Sequence, residues 1–280
     1  MTTTTARNTG PFVGGDFSDD DFQRLRALLV ERRGFDLGMY KDGCIKRRIA
    51  IRVRAHGFAS ASPYLALLEE SEQELDALLA TVSIHVSHFF RNPSMFRLLE
   101  REVFPTLQQQ GQEKEILRFW SAGCASGEEP YSLALLCRDA SGPLPVEILA
   151  TDLSAPVLQQ AAQGEYDATR LLEVPLAVRE RYFEVVGARF RLKSEVRSLV
   201  RFAPLDLLGE ESYPKADLIL CRNVLIYFGR EEQVRILERF YTALPPGGVL
   251  VLGKAETLLP PVRERFACLD PEERVYQRLN

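Results

Sequence analysis

Ser121 to Pro130 reads Ser-Ala-Gly-Cys-Ala-Ser-Gly-Glu-Glu-Pro, two glycines followed at once by two acids. Glycine at 123 and 127 removes side chains where a ligand could approach the backbone, as in dinucleotide turns. Asp152 follows at the end of the next apolar run, where an acid can hold two ribose hydroxyls. A pyrophosphate prefers a helix amino terminus free of carboxylates, so Glu128 and Glu129 argue against one. They favour a ligand with an ammonium and a sulfonium, such as S-adenosylmethionine. The same residues also allow a ligand-free reading, in which the glycines tighten a turn and the acids offset a helix dipole.

Strand–helix alternation must position that turn. Ile116–Ala122 and Val146–Thr151 read as strands, each followed by a helical stretch, Glu128–Arg138 and Ala155–Gln163. Ala216–Cys221 and Gly248–Gly253 repeat the pattern around a helix at Arg230–Ala243, and residues 266–279 read as a closing antiparallel hairpin. This periodicity predicts a doubly wound, Rossmann-like α/β sheet. Arg189–Lys193 and Val196–Phe202 lack helices between them and predict a small antiparallel β subdomain inserted at about 181–203. Ahead of the sheet the signals are helical. Ser18 and Asp19–Asp21 cap a first helix, with Phe22, Leu25 and Leu29 on one face. Three more short helices follow, a basic one at Gly43–His56, one opening at Ser62-Pro63 and one marked by Leu75, Leu78 and Leu79. The expected organisation is a disordered tail over 1–16, a small all-α domain over 17–88 and the α/β domain over 89–280.

Composition narrows the classes. Five scattered cysteines form no Cys-x-x-Cys pair, and three clustered histidines offer no ligand spacing, so no metal or disulfide framework is expected. No run approaches the roughly 18 apolar residues of a membrane span, and the first residues lack a signal-peptide core. A cytoplasmic protein without membrane insertion is expected. The charge is uneven. Gln23–Phe58 holds ten basic and three acidic residues, a net +7, leaving −11 for the rest of a chain of net charge −4. Such a block suits an acidic partner.

Four strings together give the chain a family likeness: Ser87-His-Phe-Phe-Arg91, Trp120 to Ser132, Ala150-Thr-Asp152, and Cys221-Arg-Asn-Val-Leu-Ile-Tyr-Phe228. In this order they resemble the CheR family of chemotaxis receptor methyltransferases, from about Phe17 onward. The resemblance implies a helical domain ahead of an S-adenosylmethionine-dependent methyltransferase domain with an inserted β subdomain. It implies protein-glutamate O-methyltransferase activity on the cytoplasmic helical bundle of methyl-accepting chemoreceptors, with S-adenosylhomocysteine as product. By the same resemblance His85, Ser87, Arg91, Glu128, Asp152, Asp206, Leu207, Arg222 and Asn223 would line the cofactor pocket. Arg91 and Tyr227 would face methyl transfer, and the basic helix, through Arg48, Arg52 and Arg54, would dock on receptor helices. The family often has asparagine at the positions of His85 and Asp206. Its usual Gly-His-Ser-Glu is Gly253-Lys-Ala-Glu256 here. The short Val185–Arg189 connection, without the longer glycine-bearing loop of tether-binding members, favours an enzyme that needs no receptor tether.

The residue chemistry agrees with ester formation. A glutamate carboxylate is ionised at pH 7, with a pKa of about 4.3, so no general base is required. It must be held in line, which an arginine fork does well. A nucleic-acid methyltransferase is disfavoured, because the sequence lacks both an Asn/Asp-Pro-Pro-aromatic turn at 222–225 and any Pro-Cys nucleophile. A non-catalytic sensor binding the same cofactor is the remaining alternative.

Overall fold

The computed structural model describes residues 12–33, 35–40, 42–82, 87–110, 115–139 and 145–280. Two compact units emerge. The first runs up to residue 82 and includes 227–229. The second holds 87–226 and 230–280.

The first unit is built of α1 (Asp19–Arg33), α2 (Asp42–Ala55), α3 (Ala61–Glu70) and α4 (Glu72–Val82). Ser18 Oγ accepts from the Asp21 amide at 3.0 Å and opens α1, while Asp19–Asp21 offset its dipole. Leu25, Leu29, Ile45, Ile49, Val53, Leu65, Leu68, Leu75 and Leu78 are buried together, at the i, i+3, i+4 spacing of amphipathic helices. Residues 12–16, expected to be disordered, are folded. Phe12 is buried edge-on against Phe17 at 4.9 Å, which gives this short segment a reason to order. Tyr40 and Phe228 pack at 5.1 Å and share a bridge, which assigns 227–229 to this unit.

The second unit opens with α5 (Pro93–Leu98), a π-helical turn at Leu99–Val103, and α6 (Phe104–Gln110). The wide turn falls just ahead of Pro105, which cannot donate to a continuous α ladder. The core of the unit is β1 (Leu117–Ala122), α7 (Glu128–Asp139), β2 (Val146–Asp152) and α8 (Ala155–Gln163). Then come β3 (Glu165–Tyr166), α9 (Leu176–Tyr182), β4 (Phe183–Val186), β5 (Arg189–Leu192), α10 (Ser194–Arg197) and β6 (Val200–Pro204). Last are β7 (Leu218–Cys221), α11 (Arg230–Ala243), β8 (Val249–Leu252), β9 (Phe266–Asp270) and β10 (Val275–Arg278).

The main sheet runs β6-β2-β1-β7-β8-β10-β9. The first five strands are mutually parallel, and β10 is antiparallel to both of its neighbours. β7 and β8 are buried at every position, as continuous apolar strands covered on both faces must be. The chain order reverses between β2 and β7 on either side of β1. This switch point opens the crevice where such sheets bind ligands.

The small antiparallel sheet is β3-β5-β4. Its composition differs from the sequence expectation at one strand. Residues 196–202 do not join it. Val196 is in a helical turn, and β6 pairs in parallel with β2, Ile148 opposite Val200 through Asp152 opposite Pro204. An edge strand reached without a full crossover helix has no alternating signature, whereas the third strand of the insertion is only Glu165–Tyr166, too short to show one.

Candidate functional site

Three turns surround the carboxyl end of β1, and they hold four non-glycine residues in the left-handed region: Phe90 (φ 52°) and Asn92 (φ 63°) in one, Ala125 (φ 49°) in the second and Asn223 (φ 61°) in the third. Such conformations persist only where neighbours over-determine them, and they gather at functional sites. Here each has an anchor from another element. The Phe90 amide donates to Ser132 Oγ at 2.9 Å. Asn92 Oδ1 accepts from Arg222 Nη2 at 2.6 Å. The Ala125 amide donates to Asp152 Oδ2 at 2.9 Å. The Asn223 amide donates to Glu256 Oε2 at 2.9 Å.

Asp152 is half-buried at the end of β2. Its second oxygen accepts from the Ser154 amide at 3.1 Å. These two partners are backbone amides, one per oxygen, so the carboxylate keeps acceptor capacity. Gly123 and Gly127 both have positive φ, but a Cβ on either would strike protein. At Gly123 it would lie 2.5 Å from a Val224 methyl, and at Gly127 3.0 Å from Ala161 Cβ. The glycines therefore let the turn close against its own neighbours, a packing role beside the close ligand approach that the sequence suggests.

Glu128 also differs from expectation. It has no exposed surface, and its oxygens accept from Ser126 Oγ at 3.0 and 2.8 Å. Burial raises its carboxyl above the usual range, while Ser126 and Arg170 act in the other direction. Arg170 Nη1 lies 3.5 Å from Glu128 Oε1 and also donates to the Ser87 carbonyl, and the Arg170 carbonyl accepts from the Phe89 amide. Glu128 thus supports the Ser87–Phe89 segment through Arg170 and is itself buried. Arg170 lies 42 positions after Glu128, with no motif around it, so sequence reasoning missed it.

The remaining expected residues fall as follows. Ser87 and Arg91 are half-buried. His85 lies outside the described residues. Asp206 is exposed, with Oδ1 accepting from the Leu208 amide at 2.8 Å, and Leu207 is buried beside it. Arg222 is buried, with its fork turned to the Arg91 carbonyl, Asn92 and Glu129. Tyr227 lies in the other unit with its ring under the Arg48 guanidinium at 4.4 Å. Burial, then the charge of Arg91, holds the His88 imidazole below its usual value, so it is neutral near pH 7. Burial pushes the Cys124 thiol well up, and Asp152 and Glu129 add to this, so it is no nucleophile.

Glu256 was named in the sequence only as a retained residue of an altered loop. Its Oε2 accepts from the Gly253 and Asn223 amides at 2.6 and 2.9 Å, and Oε1 accepts from the Ile226 amide at 3.2 Å. The loop joins the end of β8 to the turn after β7. Burial raises the Glu256 carboxyl, and these amides oppose the shift.

Two of the three docking residues, Arg48 and Arg52, need correction, while Arg54 is exposed. Arg48 is buried and donates to the Val82 carbonyl. Arg52 donates through Nε to Glu74 Oε1 at 2.9 Å, and Glu74 also accepts from Tyr64 at 2.7 Å and meets His56 at 2.9 Å. Burial pushes the Glu74 carboxyl up, but bonds from Arg52, Tyr64 and His56 outweigh it and leave it lowered. Arg48 and Arg52 do share a helix face, and it points inward. The exposed face of α2 carries Arg47, Ile51 and Arg54.

A cavity of about 350 Å³ opens at the opposite, amino-terminal edge of the sheet, beside Arg118, Lys215, Asp217 and Arg278. Lys215 and Arg278 donate to the Thr242 and Tyr241 carbonyls at 2.7 and 2.9 Å, so their charges cap α11. It is remote from the β1 turn.

A doubly wound sheet with a closing antiparallel strand pair and an acid at the end of β2 defines the class of Rossmann-like methyltransferases. Residues 85–275 match the CheR methyltransferase SAM-binding domain, and residues 20–83 its all-alpha domain. The chain belongs to the CheR methyltransferase family. It is 37% identical over 252 residues to a chemotaxis protein methyltransferase of Listeria innocua, covering 90% of this chain and 95% of the relative. It is 33% identical over 250 residues to that of Escherichia coli K12, covering 85% of each. A 104.1 kDa uncharacterized protein of Rhodobacter capsulatus is 37% identical over 244 residues, where the match covers 86% of this chain but only 26% of the relative.

S-adenosylmethionine is the cofactor of this domain, and the donor set suits it. Asp152 retains acceptors for a ribose diol, and Asp206, exposed and paired only with an amide, suits an adenine amino group.

Proposed function

We propose that this chain is a protein-glutamate O-methyltransferase that esterifies glutamate side chains of methyl-accepting chemoreceptors in chemotaxis adaptation. The observation that carries this is the Asp152-anchored turn after β1, beside a half-buried arginine in the Ser-His-Phe-Phe-Arg string. The donor, when bound, would supply a methyl on a positively charged sulfur for transfer to a glutamate oxygen, with the C–S pair staying on sulfur. Asp152 would hold the ribose, and Asp206 and Leu207 would flank the adenine. Arg91 orients the attacking carboxylate, which is already ionised and gives up no proton.

The reading is tested by methyl transfer with radiolabelled donor and receptor membranes. Label released by base is the expected result, and the absence of base-labile label removes the esterification reading. Asp152→Ala is expected to weaken S-adenosylhomocysteine binding at least ~10-fold in calorimetry, because both the ribose acceptor and the Ala125 anchor are lost. Unchanged affinity removes the ribose assignment.

Receptor docking is assigned to the outward face of α2, where exposed Arg47 and Arg54 flank exposed Ile51 one helical turn apart. Two cations around an apolar side chain suit an acidic receptor helix. Reversing both charges is expected to raise the receptor KM several-fold at low salt, with the difference shrinking as salt screens it. A KM independent of both changes assigns docking elsewhere.

A further inference from the structure

Arg91 leaves the backbone between two left-handed residues, Phe90 and Asn92. A free turn would not hold that geometry, and the groups that fix it come from elsewhere. The Arg222 side chain is 3% exposed. Its Nη2 donates to the Arg91 carbonyl at 2.8 Å and to Asn92 Oδ1 at 2.6 Å, and its Nη1 meets Glu129 Oε2 at 3.2 Å. Its Nε is buried with no partner. Glu129 is fixed in turn, because its other oxygen accepts from Ser121 Oγ at 2.8 Å at the carboxyl end of β1. The chain of contacts runs from β1 through the first turn of α7, to the residue after β7, and into the turn ahead of α5.

Burying a guanidinium while leaving one N–H unsatisfied is a costly way to fill space. A planar fork is, however, the group that can grip a carbonyl, a side-chain amide and a carboxylate at once. Each of its two terminal nitrogens is directed at a protein acceptor, and two of the three acceptors belong to residues 91 and 92. We infer that Arg222, held by Glu129, is a positioning residue that sets the direction in which the Arg91 side chain enters the site. It acts on methyl transfer through Arg91 and not by contact with the donor. The inference rests on the assignment of Arg91 to the reacting carboxylate and adds to it the device that aims the arginine.

A double-mutant cycle tests it, using the full chain, receptor membranes and S-adenosylhomocysteine calorimetry. Asn92→Gly removes one of the three Arg222 acceptors yet fits the positive φ. It is expected to lower kcat ~10–50-fold, since an ångström of misplacement can cost two orders of magnitude. Product affinity is expected to stay within about twofold, because the donor pocket is untouched. Asn92→Asp retains a side-chain acceptor and tolerates the left-handed conformation, and is expected to recover most of the turnover. In an Arg91→Ala background, Asn92→Gly is expected to cost less than about twofold, since no side chain remains to be aimed. Glu129→Gln, which weakens the grip on Arg222 without touching the turn, is expected to show the same loss of coupling.

Full additivity with a large Arg91→Ala effect overturns this inference alone. Product affinity falling in step with kcat in Asn92→Gly also overturns it, by making the turn part of the donor pocket. Arg91→Ala at the full rate removes the Arg91 assignment and the positioning role with it.

Discussion

Arg91→Ala is expected to lower the maximal rate of receptor esterification at least ~100-fold, as loss of one positioned charge-stabilising donor does elsewhere. The argument turns on what the arginine can and cannot supply. A carboxylate needs no deprotonation, and an arginine paired with it makes it a poorer nucleophile by drawing charge away. The gain must therefore come from orientation. The reacting oxygen has to lie behind the methyl, opposite sulfur, and a fork that fixes the plane of the carboxylate removes most of its wandering. Lysine at 91 keeps the charge but loses the fork, and is expected to recover less than about a tenth of the lost rate. The measurement is the initial rate at saturating donor and receptor. A rate within about fivefold of the unchanged protein would show that another group aligns the carboxylate.

The elements that carry this chemistry were readable from the sequence because their signatures are local. A strand, a glycine-bearing turn, a Glu-Glu-Pro helix start and an acid ending the next strand need no distant information, and β1, α7 and β2 stand where that pattern places them. What could not be read is which charges are turned inward. Glu128 looks like a free carboxylate until Ser126 and Arg170 close over it. Arg48 and Arg52 look like a solvent-facing pair until Val82, Tyr227 and Glu74 appear behind them. Each of these depends on a partner far along the chain, or on a register that periodicity does not fix. Two of the left-handed residues were equally hidden. Phe90 and Ala125 are not types that announce a positive φ, as glycine and to a lesser degree asparagine do. They reach it because an anchoring group on another element makes the alternative worse. β6 shows the same limit at the level of topology, since an apolar run does not say which sheet it will join.

The loop that departs from the family pattern shows how little of its motif the architecture requires. Lys254 is exposed at its position in that loop, while Glu256 is buried and accepts three amides from two segments. The pattern can change at 254 and 255 because those side chains do not make this connection. At 256 it cannot. Alanine there leaves the Gly253, Asn223 and Ile226 amides without an acceptor, and the expected loss is about 3 kcal/mol, or roughly 5–10 °C in the unfolding midpoint of the α/β unit. Glutamine is no substitute, since one of its two terminal groups is an NH₂ that would face an amide donor. Gly253→Ala attacks the same contact from the other side. Its Cβ would lie 2.7 Å from Glu256 Oε2 and 2.8 Å from the Asn223 amide. Both variants should therefore release Asn223 from its left-handed conformation and weaken S-adenosylhomocysteine binding as well as lowering the midpoint. Scanning calorimetry with and without the product separates the two effects. An unshifted midpoint in Glu256→Ala would mean that water satisfies these amides, and the carboxylate would then lose its place as the anchor of the turn after β7.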